Sequence, residues 1–278
     1  MINVIAFLHV FKNGVTTIVD RYRHNPKFVY VRDSEFGLLN HDTETIPSRR
    51  VPLKVIKSYD PRMLIGHGVE IDLFDLPKRN IVYVTCLRNP VDRMISAYNY
   101  YLLELSTIWG RDAGHIDFFT WFINKNRLLP TVCNYQYEHF VKKPNYDLLK
   151  TLCSGAIMNS HLMTDHKATI NQTELEWIYE QQRRHVHEAL LLLRNKCQHV
   201  LFMDDDYMYK FDKLVKEYDI PCEPDREVMH THGTAPELAE IKKKYVTYDD
   251  LDEDSKNLLM IHMEQDIDFY NKCKEEFK

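Results

Sequence analysis

The segment Phe7 to Thr17, FLHVFKNGVTT, brings a lysine, a glycine and two threonines together where an apolar run, Ile2 to Leu8, ends. A strand that enters a glycine-containing turn and then opens a helix presents backbone N–H groups and a positive dipole end to an anion. Lys12 adds a point charge there, and Thr16 and Thr17 add hydroxyl donors. The chemistry such a turn serves is the holding of a phosphate. It is not a Walker A loop, because G-x-x-x-x-G-K-[ST] is absent and Lys12 precedes Gly14. Taken alone, the same residues also read as a helix-capping turn with a solvated lysine.

A second cluster lies in Thr85 to Tyr98, TCLRNPVDRMISAY. Arg88 follows the end of an expected strand, and Ser96 falls about two turns into the helix beyond it. Carboxyl ends of strands are where open α/β sheets bind ligands. An arginine there can fork onto a phosphate, and a serine can donate one more hydrogen bond. Alone, the pair also reads as a surface arginine and a solvent-facing serine.

Together the two segments resemble the motifs of sulfotransferases that use 3′-phosphoadenosine-5′-phosphosulfate (PAPS). FLHVFKNGVTT is similar to their 5′-phosphosulfate loop and LRNPVDRMISAY to their 3′-phosphate motif. The group resembled most is the carbohydrate one that includes heparan sulfate 2-O-sulfotransferase and its bacterial relatives. The resemblance implies a P-loop-like sulfotransferase fold with PAPS as donor, its desulfonated product PAP, and no metal. It implies that Lys12, Asn13, Gly14, Val15, Thr16 and Thr17 hold the sulfonate-bearing end, and that Arg88 and Ser96 hold the 3′-phosphate. Phe11 and Asn13 depart from the commoner Pro and Thr of the family's loop, and Val15 replaces a small residue. These changes bear on the fine geometry of the loop.

Between the motifs lies LIGHGVEIDLF, Leu64 to Phe74, similar to the segment in which the 2-O-type enzymes carry a catalytic histidine. His67 is the matching residue, and an unperturbed imidazole pKa of ~6.5 suits proton abstraction near neutral pH. The chain has 14 histidines, so only its position in the motif sets His67 apart from a structural one. Glu70 is the alternative base, since other sulfotransferases use a carboxylate, or else a solvated surface acid. In CNYQYEHF, Cys133 to Phe140, Asn134 and Gln136 are acceptor-contact candidates by a fainter resemblance, or ordinary polar residues. MHTHGT, Met229 to Thr234, lies where family members have a loop that closes over the nucleotide.

The elements that must position these residues alternate between strand and helix. Ile2–Leu8, Phe28–Val31, Ile81–Cys86 and Val200–Met203 are short runs rich in β-branched and aromatic residues and are expected strands. Helices are expected over Thr17–Tyr22, from Pro90 through VDRMISAYNYY, and over Glu174–Asn195, Tyr207–Tyr218 and Leu251–Phe277. Strand–loop–helix occurs twice, which points to an α/β fold with a central parallel sheet flanked by helices. No repeat or Pro/Gly linker interrupts the chain, so one domain over residues 1–278 is expected. HVLFMDDD, His199 to Asp206, has the look of a Walker B strand, but without a Walker A partner its aspartates are expected to cap the next helix.

Composition bounds the partners. Hydrophobic residues make up 44% and charged residues 28% of 278, with a net charge of −5, so a broadly cationic nucleic-acid surface is not expected. No apolar run reaches the ~20 residues of a membrane helix, and Met1 to Val10 lacks the basic start of a signal peptide. The six cysteines are dispersed without a C-x-x-C pair, which favours reduced thiols, a cytoplasmic location and no zinc site.

The expected activity is in-line transfer of the PAPS sulfonate to an acceptor hydroxyl, of a carbohydrate or of a small-molecule alcohol. Lys12 would stabilise the departing phosphate and His67 would take the acceptor proton. The alternatives are a P-loop-like ATP-dependent kinase and a non-catalytic nucleotide-binding module.

Overall fold

A computed structural model describes residues 1–10, 12–32, 46–47, 60–66, 69, 71, 76, 78–107, 117–122, 135–141, 172–203, 206–224 and 243–277. The chain divides into two compact units. The first comprises Met1–Arg88 and Leu193–His232; the second comprises Asn89–Leu192 and Gly233–Glu276.

The first unit is built on a parallel sheet. Its strands are β1 (Ile2–Leu8), β2 (Phe28–Arg32), β3 (Ile46–Pro47), β4 (Met63–Gly66), β5 (Arg79–Leu87) and β6 (His199–Phe202). They lie in the order β3-β2-β4-β1-β5-β6, with the two-residue β3 at one edge. Every pairing is parallel; Ile5 of β1 sits opposite Met63 on one side and Val82 on the other. β1 is central because INVIAFL is apolar on both faces: Val4, Ile5, Ala6 and Phe7 are all fully buried.

Helices α1 (Val15–Tyr22) and α5 (Tyr207–Glu217) share one face of this sheet. Ile5, Phe7, Met63, Ile65, Val82, Val84 and Cys86 form one core with Ile18 and Tyr22 of α1 and Phe211 and Leu214 of α5. Phe211 meets Phe7 and Tyr22 edge-on, with ring centroids 5.7 Å apart in both pairs. At its margin Asp212 of α5 accepts from Arg21 Nη2 at 2.5 Å and from the Tyr22 hydroxyl at 2.6 Å. Helix α1 is thereby fixed against α5, and the loop that precedes it is held from its far end.

The expected strands are all present, and two more join them: the two-residue β3, and β4, which was read only as part of a chemical motif. Gly66 ends it at φ 141°, and a Cβ there would stand 1.9 Å from the Val31 carbonyl oxygen of β2. Only glycine allows that approach. Helix α1 begins at Val15, two residues before the expected start at Thr17, because Gly14 at φ 77° turns the chain sharply enough to serve as its N-cap.

The second unit holds α2 (Pro90–Thr107), a helical turn over 118–122, α3 (Tyr135–His139), most of α4 (Gln172–Lys196), and α6 (Glu253–Glu276). Asn89 caps α2 by accepting the Val91 amide at 2.9 Å, and Pro90 occupies the first helical position. Tyr98 packs edge-on against Phe118 and Trp121, each at 5.3 Å. Beneath them Arg93 of α2 faces Asp266 of α6 at 3.6 Å, both essentially without exposure. The same carboxylate accepts the amides of Gln136 and Tyr137 and so starts the short helix α3. Among the described residues no helix is long and apolar enough to cross a membrane. Cys86, Cys197, Cys222 and Cys273 are buried.

Candidate functional site

The order of the strands creates the site before any side chain does. From β1 the chain moves to one side, building β2 and β4, and then crosses to the other side of β1 for β5 and β6. The carboxyl ends of β1 and β5 flank the point where the strand order reverses, and in open α/β sheets ligands bind in the crevice there.

Side chains of Thr85, Asn13 and Arg88 tie these two strand ends together. Thr85 Oγ1 donates to the Leu8 carbonyl at 3.0 Å, Asn13 Nδ2 to the Cys86 carbonyl at 2.7 Å, and Arg88 Nη1 to the Lys12 carbonyl at 3.3 Å. The loop after β1 is thus anchored along the end of β5 at successive points. Asn13 is fully buried, and its backbone N–H also bonds the Val10 carbonyl at 3.3 Å. Asn13 serves the loop's shape with its side chain and its amide alike.

Within the loop, Lys12 (φ 67°) and Gly14 (φ 77°) both take left-handed backbone, with Asn13 between them. A non-glycine residue in that region costs about 1–2 kcal/mol, and such strain gathers where backbone must face a ligand. Alternation of hand along a short segment is how successive N–H groups come to line an anion-binding concavity. Lys12 is half-buried at the mouth of this turn.

Gly14 caps α1 with no side-chain hydrogen bond, and the first turn of the helix carries no acidic residue. The leading amides, Val15 and Thr16 among them, lack intrahelical acceptors, so the N-terminus keeps its donors for an anion. Val15 buries its side chain in the core, which leaves its amide as the group it can offer. Thr16 is exposed and Thr17 half-buried.

Tyr207, the first residue of α5, completes the site and was not among the residues singled out from sequence. Its hydroxyl donates to the Gly14 carbonyl at 3.2 Å. Burial raises the Tyr207 pKa, with the Thr17 hydrogen bond and nearby Arg88 acting the other way, so the group is a neutral phenol at physiological pH. A Cβ on Gly14 would lie 2.9 Å from the Tyr207 oxygen, a second reason for glycine there. The only sequence signal for Tyr207 was an aromatic residue opening a helix after an apolar strand.

The first unit therefore brings Lys12, Asn13, Gly14, Val15, Thr16, Thr17 and Arg88 together. Ser96 is half-buried in the second turn of α2 and belongs to the second unit. Gln136 is fully buried, with its amide on Asp266. His67, Glu70 and Asn134 lie outside the described residues, as do Met229 to Thr234 and Asp204 and Asp205. Asp206, one of the three aspartates expected to cap α5, stands at its N-cap without a side-chain capping hydrogen bond. Its carboxylate reaches forward to Lys210 at 2.8 Å, where opposite charge outweighs an amide contact.

No protein-family model matches the chain and no curated protein matches it, so the reading of this site rests on its residues and their geometry.

Proposed function

We propose that the chain is a PAPS-dependent sulfotransferase of P-loop-like fold, transferring a sulfonate to an acceptor hydroxyl. The observation that carries the reading is the β1–α1 loop, bonded by Asn13 and Arg88 to the end of β5 at the strand-order reversal. That arrangement gives an uncapped helix N-terminus, a lysine and an arginine at one crevice, which suits a doubly anionic nucleotide.

Bound PAPS would supply the sulfonate, and the new S–O bond would form as the bond from sulfur to the 5′-phosphate oxygen breaks. Lys12 and the amides of Val15 and Thr16 would hold the charge that develops on the departing phosphate. His67 would accept the proton of the attacking hydroxyl. Arg88 would bind the 3′-phosphate, and Ser96 is the further contact that the resembled motif implies. A carbohydrate hydroxyl is the first acceptor class, on the strength of the motifs resembled, and a small-molecule alcohol or phenol the second.

Calorimetry with PAP and with AMP tests the nucleotide. Loss of one charge-assisted contact costs about 1.5–3 kcal/mol, so PAP should bind at least about tenfold more tightly than AMP, and Arg88→Ala should erase most of the difference. Equal affinities in the wild-type protein would remove the basis for the assignment. Incubation with PAPS and a panel of sugars and phenols, read by mass spectrometry, then separates an enzyme from a binding module. Magnesium-dependent ATP turnover without PAPS turnover would identify a kinase instead.

A further inference from the structure

We propose that Tyr207 is a positioning residue that sets the first amide of α1 for the anion. The proposal rests on the nucleotide reading above and extends it to a residue outside both motifs.

A peptide group is planar, and its C=O and N–H point in opposite directions. The Gly14 carbonyl and the Val15 N–H belong to one such plane, so whatever fixes the carbonyl also aims the amide. Tyr207 fixes it, donating its phenolic hydrogen to the Gly14 oxygen at 3.2 Å. The Thr17 amide reaches the same oxygen at 3.2 Å from within the helix. The carbonyl is thus held from inside α1 and from α5, and Val15 N–H is left facing the other way.

Gly14 makes this contact necessary. At φ 77° a glycine has none of the steric restraint that would hold its following peptide in one orientation. Helix N-caps usually gain order from a side-chain bond, and Gly14 offers none. Tyr207 supplies the missing restraint from a distant part of the chain. Its ring is 8% exposed and packed in the core shared by β1, α1 and α5, so its hydroxyl is delivered from a fixed base.

Tyr207→Phe keeps the ring and removes the hydroxyl. Ligands carrying a 5′-phosphate, PAP and adenosine 5′-monophosphate, should each bind roughly fivefold more weakly, the scale of one lost hydrogen bond. Adenosine 3′-monophosphate, which has nothing to place on the loop, should keep its affinity. A merely structural tyrosine would weaken all three alike or none, and either result overturns the proposal. The amide resonances of Gly14 to Thr17 in the unliganded protein provide the second measurement. They should shift in Tyr207→Phe while those of β5 and β6 stay in place. If wild type binds none of the three nucleotides, the nucleotide reading fails and these resonances decide alone. Unchanged Val15 and Thr16 signals would then overturn the role of Tyr207.

Discussion

Asn13 reaches across 73 positions of sequence to place its side-chain nitrogen 2.7 Å from the Cys86 carbonyl oxygen. The bond joins the loop that would hold the 5′-phosphate to the strand that delivers Arg88. A sequence reading takes Asn13 for a departure from a threonine that would touch ligand. In the fold it is a buried tether, and what it would contribute to the proposed binding is the distance between two other groups. Asn13→Ala should therefore act twice. A buried carbonyl stripped of its partner costs about 1–3 kcal/mol, which a denaturant midpoint should register. PAP binding should weaken as well, because the loop loses its register on β5. Normal stability combined with weakened binding would show instead that the side chain contacts ligand directly.

Arg93 and Asp266 predict a different kind of loss. The pair is buried to 1% and 0% exposure, and its carboxylate also anchors the amides of Gln136 and Tyr137. Removal of one partner from a buried pair leaves an uncompensated charge and costs about 3–5 kcal/mol. Arg93→Leu should unfold the second unit at much lower denaturant, as read by the fluorescence of Trp121 within its aromatic cluster. A change under 1 kcal/mol would mean that Asp266, whose pKa burial raises, takes a proton once Arg93 is gone and leaves no buried charge.

What could be read from sequence divides along the range of the forces involved. β1, β5 and β6 announce themselves because parallel strands buried on both faces need apolar, β-branched runs, and INVIAFL is one. Helices α4, α5 and α6 follow from long stretches of periodic pattern. β4 was hidden because MLIG, with a single β-branched residue and a glycine end, gives no pattern of its own, and its place beside β1 is a matter of topology. α3 was hidden for the same reason in sharper form: five residues become helical where Asp266, 129 positions from Tyr137, takes up their leading amides. At the site the loop composition was legible, whereas its dependence on Tyr207 was not. No local pattern tells which aromatic residue will arrive at a carbonyl 193 positions away.

Acid should weaken the first unit through His199. Burial lowers its pKa, with Glu217 opposing, and its Nε2 lies 2.8 Å from the Tyr218 hydroxyl. The folded state therefore favours the neutral ring. That contribution is present above the unfolded value of ~6.5 and is lost as pH falls through the lower folded value. His199→Gln keeps a polar partner for Tyr218 and removes the titration. Its thermal midpoint should fall less than that of wild type between neutral pH and pH values below ~6.5. Parallel pH curves for the two proteins would show that His199 protonates equally in folded and unfolded chains.

His67 bears the sharpest test of the proposed chemistry. It directly follows Gly66, the last residue of β4, and β4 pairs with β1, whose carboxyl end feeds the loop of Lys12. A general base contributes roughly 10²–10⁴ in rate. His67→Ala should lose turnover on that scale and still bind PAP, because the base acts on the acceptor and not on the nucleotide. Wild-type turnover should rise with pH through a transition in the histidine range, since only a neutral imidazole accepts a proton. Pre-steady-state measurement of a single turnover isolates that limb from product release. Glu70→Gln serves as the comparison and should retain activity. If Glu70→Gln abolishes turnover while His67→Ala preserves it, the base is a carboxylate, and the pH limb should then move down into the carboxylate range. In that case the loop, Asn13 and Arg88 keep their places, and only the proton's destination changes.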